Sequence, residues 1–330
     1  MSYYLSIVVC GRNDNYGCDY LKRLQMMVSG INYFCAQNAL SCQLVFVEWN
    51  PPVDSPTIKS VIDWGSHIGV KIVTVPGRID TELPVNRGRS GLHEFIAKNA
   101  GVRRADGQFV LACTSDLVFS PELIQYLGRR ELSTDAVYRA TRVNVRALPD
   151  GVAPTEAPVL CRREVLHAEL LIGRCNMNPE GWEVLCQWNA IDLFGNSPTF
   201  REIFDLRHDH EPLRLEAPVL RHFPNLIHCN CAGDFTLVSR EGWLKLGGYL
   251  ENDCRNHVDA WFCFHAAKQG FAQVLLPLRM CVYHQEHEAP PLLPYFETLA
   301  KLNKLEQNPK WGLADEELSV EVIQVGARHN

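Results

Sequence analysis

Short apolar runs alternate with longer stretches of helical spacing through the first third of the chain. Leu5 to Cys10 (LSIVVC) is apolar at every position but Ser6 and stops at Gly11, the pattern of a strand covered on both faces. From Tyr20 to Asn38 the apolar residues Leu21, Leu24, Met27, Val28, Ile31 and Phe34 recur three or four apart, which predicts a helix. A second strand is predicted over Leu44 to Val47, ended by the polar Glu48 and by Pro51-Pro52, which cannot continue a ladder. Val70 to Val75 predicts a third strand, Leu92 to Arg104 a second helix and Phe109 to Cys113 a fourth strand, with Ala105-Asp106-Gly107 as a turn. This alternation means a parallel sheet flanked by helices, and ligands of such sheets bind at the carboxyl ends of the strands. Gly11 to Asn15, Glu48 to Pro52 and Thr114 to Asp116 follow those ends and are the first site candidates.

From about Arg139 to His228 the pattern weakens into many Pro, Asn and Arg with short apolar runs, which predicts an irregular insertion. Beyond it, Gly233 to Ser239 predicts a strand, followed by a helix from Arg240 and the Gly247-Gly248 turn. A helix over His257 to Gln269, strands over Gln273 to Leu276 and Cys281 to His284, and an amphipathic helix over Leu293 to Asn308 complete the chain. The expected organisation is an α/β half over residues 1–125, the insertion over 126–230, a segment over 231–290 that completes the sheet, and a C-terminal helix and tail over 291–330.

With 330 residues, 46% hydrophobic and 21% charged, the chain can build a sizeable core. A formal net charge of -6 gives no general attraction to nucleic acid or an anionic membrane, so neither is expected as a partner. The 13 cysteines are scattered without C-x-x-C pairing, which leaves a zinc ribbon no spacing and predicts free thiols of a reducing cytoplasm. The N-terminus has no basic segment or small-residue cleavage site of a signal peptide, and no window nears the roughly 18 consecutive apolar residues of a membrane span. No G-x-G-x-x-G follows a strand and no G-x-x-x-x-G-K-[ST] is present, which argues against dinucleotide oxidoreductases and P-loop NTPases.

Thr114-Ser115-Asp116 follows a buried run. A carboxylate there can hold a hard divalent cation against a diphosphate, because Mg²⁺ and Mn²⁺ take oxygen ligands and few of them from protein; a surface turn aspartate is the alternative. The string AKNAGVRRADGQFVLACTSDLVFSPELI, residues 97 to 124, carries Asn99, Gly101, Ala105 and Gly107 before this site. It resembles the stretch leading into the DxD-type motif of GT-A fold glycosyltransferases, in particular their inverting, family-2-like group. SIVVCGRND resembles that family's first strand and nucleotide-contacting loop, VFVEWNPP its second strand, and GDFTLVSREGWLKLGGYLEN its acceptor-side strand, helix and Gly-Gly turn. The resemblance spans residues 3 to 125 and 230 to 290. It implies a GT-A type, Rossmann-like, mainly parallel sheet flanked by helices, and a UDP-linked nucleotide sugar held by Arg12, Asn13, Asp14, Glu48, Asn99, Ser115 and Asp116. It also implies Mn²⁺ or Mg²⁺ on Asp116, although this motif keeps a single carboxylate.

Inverting transfer needs a carboxylate to take the acceptor's hydroxyl proton. Asp259, in His257-Val258-Asp259, stands where the resemblance places it, and Asp234 is the rival. Capping is the other reading of Asp259, because an N-cap at Asn256 would put it at the third helical position. His284 is expected to close the metal shell, as a C-terminal histidine does in this fold; His287, three residues on, and Arg207-His208-Asp209-His210 are weaker candidates. One of Arg87, Arg89, Arg103 and Arg104 could reach a leaving diphosphate, although such arginines are more often solvated.

The expected activity is metal-dependent transfer of a sugar from a nucleoside diphosphate sugar to a hydroxyl acceptor with inversion. A sugar nucleotidylyltransferase is the alternative enzyme, disfavoured because GRNDNYG has one basic residue and no glycine cluster. A catalytically silent carbohydrate-binding or scaffold protein is the alternative of another class. The acceptor is not legible; its specificity is expected in the 139–228 insertion, where Trp182, Trp188, Phe194 and Phe200 could stack on sugars or fill the core.

Overall fold

Strand β1 (Leu5–Gly11) lies between β2 (Cys42–Trp49) and β4 (Phe109–Ala112) and runs parallel to both. Its side chains alternate between two cores: Leu5, Ile7 and Val9 face one, Val8 and Cys10 the other. The first core is covered by the helix Tyr20–Gln37 through Leu24, Met27, Val28 and Ile31, and the second by the helix Glu94–Arg103 through Ile96, Ala97 and Ala100. Burial on both faces is why these strands read as unbroken apolar runs. Gly101 lets the second helix approach closely, since an added Cβ would lie 2.4 Å from Val8 Cγ1 and 2.9 Å from Val47 Cγ2.

The computed structural model describes residues 3–83, 91–171, 173–178, 181–187, 211–254, 256–288 and 294–323. Within them β3 (Gly69–Val75), β6 (Ala136–Arg139), β11 (Leu213–Leu215), β12 (Thr236–Ser239), β13 (Ala272–Leu275) and β15 (Ser319–Ile323) extend the sheet to nine strands. Its order is β11-β13-β6-β12-β4-β1-β2-β3-β15. Strands β1, β2, β3, β4, β6 and β13 run one way, with β12 and the two edges antiparallel. This is the mainly parallel, helix-flanked α/β architecture that the sequence implies.

The region read as an irregular insertion is more regular than its composition indicates. Strands β7 (Arg142–Val145), β8 (Val165–Leu170), β9 (Gly173–Asn178) and β10 (Gly181–Gln187) join β14 (Val282–Gln285) and β5 (Leu117–Phe119) in a second sheet, ordered β10-β9-β8-β7-β14-β5. Polar residues such as Arg142, Asn144, His167 and Glu169 occupy these strands, so no apolar alternation marks them in the sequence. The last helix spans Tyr295–Leu302, shorter than the pattern predicts, and β15, which the sequence reading did not place, pairs with the β3 edge. Among the described residues no helix is long and apolar enough to cross a membrane.

Candidate functional site

The chain leaves the large sheet at Ala112 and enters the second at Leu117, so Thr114-Ser115-Asp116 spans the seam between them. Register places the partners: His284 lies opposite Leu117 on one side of β14 and opposite Asn144 on the other. A cavity of about 960 Å³ opens at this seam, lined from the large sheet's strand ends by Arg12, Asp14, Ser115 and Asp116, and from the second sheet by Arg142, Asn144, His167, Glu169 and His284. Its volume is at the upper end of the roughly 300–1,000 Å³ of ligand pockets.

Asp116 is 5% exposed and gathers cationic and imidazole groups. Its Oδ2 lies 3.1 Å from His287 Nε2, 3.7 Å from His284 Nε2 and 3.5 Å from Arg23 Nε. Burial opposes its charge, but His284, His287 and Arg23 hold the carboxyl well below the usual carboxylate range. Oδ1 is buried with no hydrogen-bond partner among the described residues. Asp116, His284 and His287 bring ligand atoms within 4.8 Å of one another, a carboxylate-imidazole set that could hold a divalent transition-metal ion such as Mn²⁺, and the orphaned oxygen supplies a further lone pair.

The two histidines fit such an ion differently. His287 Nδ1 lies 2.8 Å from the Glu288 carbonyl and donates to it, which turns Nε2 towards Asp116, where a protonated ring bonds the carboxylate and a neutral ring offers a lone pair to an ion. An oxygen and a nitrogen 3.1 Å apart also match two ligands at about 2.1 Å from an ion and at right angles. His284 Nδ1, in contrast, is 3.1 Å from Arg142 Nη2, which can only donate, so the proton of the neutral ring sits on Nε2. Burial keeps this ring neutral by lowering its pKa, against the pull of Asp116. His284 therefore ligates only after the Arg142 contact is exchanged. The sequence reading ranked His284 above His287, because a residue on a predicted strand is easier to place than one beyond its end.

Asp234, 4% exposed, is bonded by Arg142 Nη1 at 2.9 Å and by Thr114 Oγ1 at 3.1 Å. Burial opposes its charge, yet Arg142 and, more weakly, His284 and Lys98 hold its pKa down, which makes it a poor proton acceptor. Asp259 lines the same cavity, and its Oδ2 accepts from Gly233 N–H at 2.6 Å. Its helix is Val258–Lys268 with His257, at φ 66°, as N-cap, so Asn256 is not the cap and Asp259 stands one position earlier than the sequence predicts. The capping-box reading is thereby removed.

The expected nucleotide contacts divide. Arg12, Asp14, Ser115 and Asp116 line the cavity. Arg12 Nε is paired with Asp14 Oδ2 at 3.0 Å, and Ser115 Oγ is 2.9 Å from the Tyr20 hydroxyl, which occupies the space a side chain at Gly11 would need. Asn13 lies beside the cavity lining and donates to Pro56 O at 2.9 Å. Glu48 and Asn99 do not line this cavity. Glu48, 1% exposed, accepts from Ile58 N–H at 2.7 Å and starts a short helix. Burial raises its pKa. Asn99 is wholly buried and bonds both the N–H and the carbonyl of Tyr249, each at 2.8 Å, which ties its helix to the Gly247-Gly248 turn.

Arg103 and Arg104 donate to carbonyls of Trp311, Gly312 and Leu313 rather than lining the cavity. Arg87 and Arg89, Trp188, Phe194, Phe200, Arg207 to His210, and the side chain of Trp182 lie outside the described residues.

Sequence reasoning missed Arg23, Arg142, Asn144 and Glu169, which lie on helix or strand positions with no motif around them, and Lys98, which lies within the 97–124 string beside Asn99. Asn144 Oδ1 accepts from both Arg142 Nε and Nη2, which orients its amide; Nδ2 has no hydrogen-bond partner among the described residues although the side chain is buried in the cavity wall.

No family model matches the sequence, and no curated protein does. Solved structures that match include two of S. aureus TarS 1-349, one of them in complex with UDP-GlcNAc. Each is 13% identical; the TM-scores are 0.45 for the first and 0.46 for the complex, over 85% and 92% of this chain and 60% and 68% of theirs. The chain thus spans less than two thirds of the length of the first.

Proposed function

We propose that the chain transfers a sugar from a nucleoside diphosphate sugar, UDP-linked, to a hydroxyl acceptor with inversion. The observation that carries this reading is Asp116: a buried, charged carboxylate with one orphaned oxygen, beside two imidazoles, at a strand end in a cavity that Asp259 also lines. Arg12 and Ser115 receive the nucleotide. Asp116 and His287, with His284 after release of Arg142, would hold Mn²⁺ or Mg²⁺, which when bound offsets the charge that grows on the departing diphosphate. Arg142, fixed by Asp234, adds a cation to the same wall.

The acceptor binds against the second sheet, where Asn144 Nδ2, without a partner among the described residues, and the polar side chains of His167 and Glu169 offer hydrogen bonds. Asp259 takes the acceptor's hydroxyl proton as the acceptor oxygen bonds to the anomeric carbon and the bond from that carbon to the diphosphate oxygen breaks, with the pair leaving on the diphosphate. Asp259 suits this role better than Asp234, which is committed to Arg142 and Thr114.

The test is release of UDP from a panel of UDP-hexoses, with water or an added glycan as acceptor. Release that needs Mn²⁺ or Mg²⁺ and falls by about 10²-fold or more in Asp116→Ala is expected. No release from any UDP-hexose, or pyrophosphate release from a nucleoside triphosphate and a sugar phosphate, contradicts the reading.

A further inference from the structure

Lys98 is a lysine with no exposed surface, on the helix Glu94–Arg103, and its side chain reaches the cavity wall. Lysine is almost never fully buried without a partner. Here the partners are the Glu94 carboxylate and the Gly233 carbonyl, the latter at 2.8 Å. Gly233 is the residue whose N–H grips Asp259 Oδ2, and the next residue is Asp234. A Cβ built on Gly233 would lie 3.4 Å from Asp259 Oδ2 and 3.8 Å from Lys98 Nζ, so both groups converge on one backbone unit. Burial works against the charge of Lys98, but Glu94 holds its pKa above that of an ordinary lysine, so the cation persists. Loss of Lys98 would leave the Gly233 carbonyl without its buried donor and free the corner to turn.

We propose that Lys98 is a positioning residue which, by clamping the Gly233 carbonyl, fixes the amide that aims Asp259 at the acceptor hydroxyl. This rests on the assignment of Asp259 as base.

The experiment is a double-mutant cycle of Lys98→Met and Asp259→Asn, read as UDP release from a UDP-hexose, with KM, UDP affinity and melting temperature measured on each protein. Lys98→Met is expected to lower kcat by about tenfold or more with KM and UDP affinity within about threefold, and to cause no further loss in the Asp259→Asn background. Unchanged kcat per folded molecule with only a lower melting temperature, or an equal fold-loss in both backgrounds, overturns the clamp alone. Wild-type turnover in Asp259→Asn overturns the base assignment and the clamp with it, and so does absence of UDP release by the wild type. If Lys98→Met does not fold, Lys98→Leu, which also lacks a donor to the Gly233 carbonyl, enters the same cycle with the same criteria.

Discussion

The backbone N–H of Gly233 donates to Asp259 Oδ2 across 2.6 Å, so the carboxylate is held by a corner of another element and not by its own helix. A carboxylate held through one oxygen keeps the second available for a ligand. The same corner presents Asp234 to Arg142 at 2.9 Å, so the two aspartates are held by different partners.

Asp259→Asn is expected to reduce UDP release from a UDP-hexose by about 10² to 10⁴-fold while UDP binding survives, since asparagine cannot take a proton. The Gly233 N–H still finds an oxygen, so the melting temperature should move little. Asp234→Asn should instead lose activity together with stability. Near-normal turnover in Asp259→Asn beside a stable but inactive Asp234→Asn would move the base to Asp234.

The two histidines should separate in metal titrations. His287→Ala is expected to weaken Mn²⁺-dependent binding of UDP more than His284→Ala, because the Glu288 carbonyl already orients His287 as a ligand and Arg142 occupies His284. Calorimetry of UDP binding at fixed Mn²⁺ measures this. A larger loss in His284→Ala would show that Arg142 releases its ring in the bound state.

Acid should erode the Asp234–Arg142 pair. The folded pKa of Asp234 is depressed below its unfolded value, so the pair's stabilisation is present above about pH 4 and is lost as pH falls through the lower, folded value. Asp234→Asn should cost about 1–3 kcal/mol at pH 7, since it leaves the Arg142 guanidinium without its anionic partner. The difference from wild type should narrow below about pH 4, as denaturant unfolding at pH 7, 4 and 3 would measure. A difference that is constant or widens on acidification contradicts this.

The parallel strands were legible because both faces are buried, so LSIVVC and VFV admit little else. Asp116 was legible because it follows one of them. The second sheet was not, because its strands carry Arg142, Asn144, His167 and Glu169 towards the cavity, and a polar face on short strands looks like loop composition. Glu48 and Asn99 sit beside a strand end or a glycine motif, where a ligand contact and a backbone tie demand the same residue type, so their bonds to Ile58 N–H and the Tyr249 peptide were not legible in the sequence.

Thermal unfolding of wild type and Asp116→Ala, each with UDP, Mn²⁺ or both, tests most directly whether this cavity takes a nucleoside diphosphate through an ion on Asp116. A ligand that binds only the folded chain stabilises it by RT ln(1 + [L]/Kd), so 100 Kd of UDP adds about 2.7 kcal/mol. UDP is expected to stabilise the wild type only with Mn²⁺ present, and Asp116→Ala to abolish the dependence. Equal stabilisation of both proteins by UDP without metal, or none in either with metal, would contradict it.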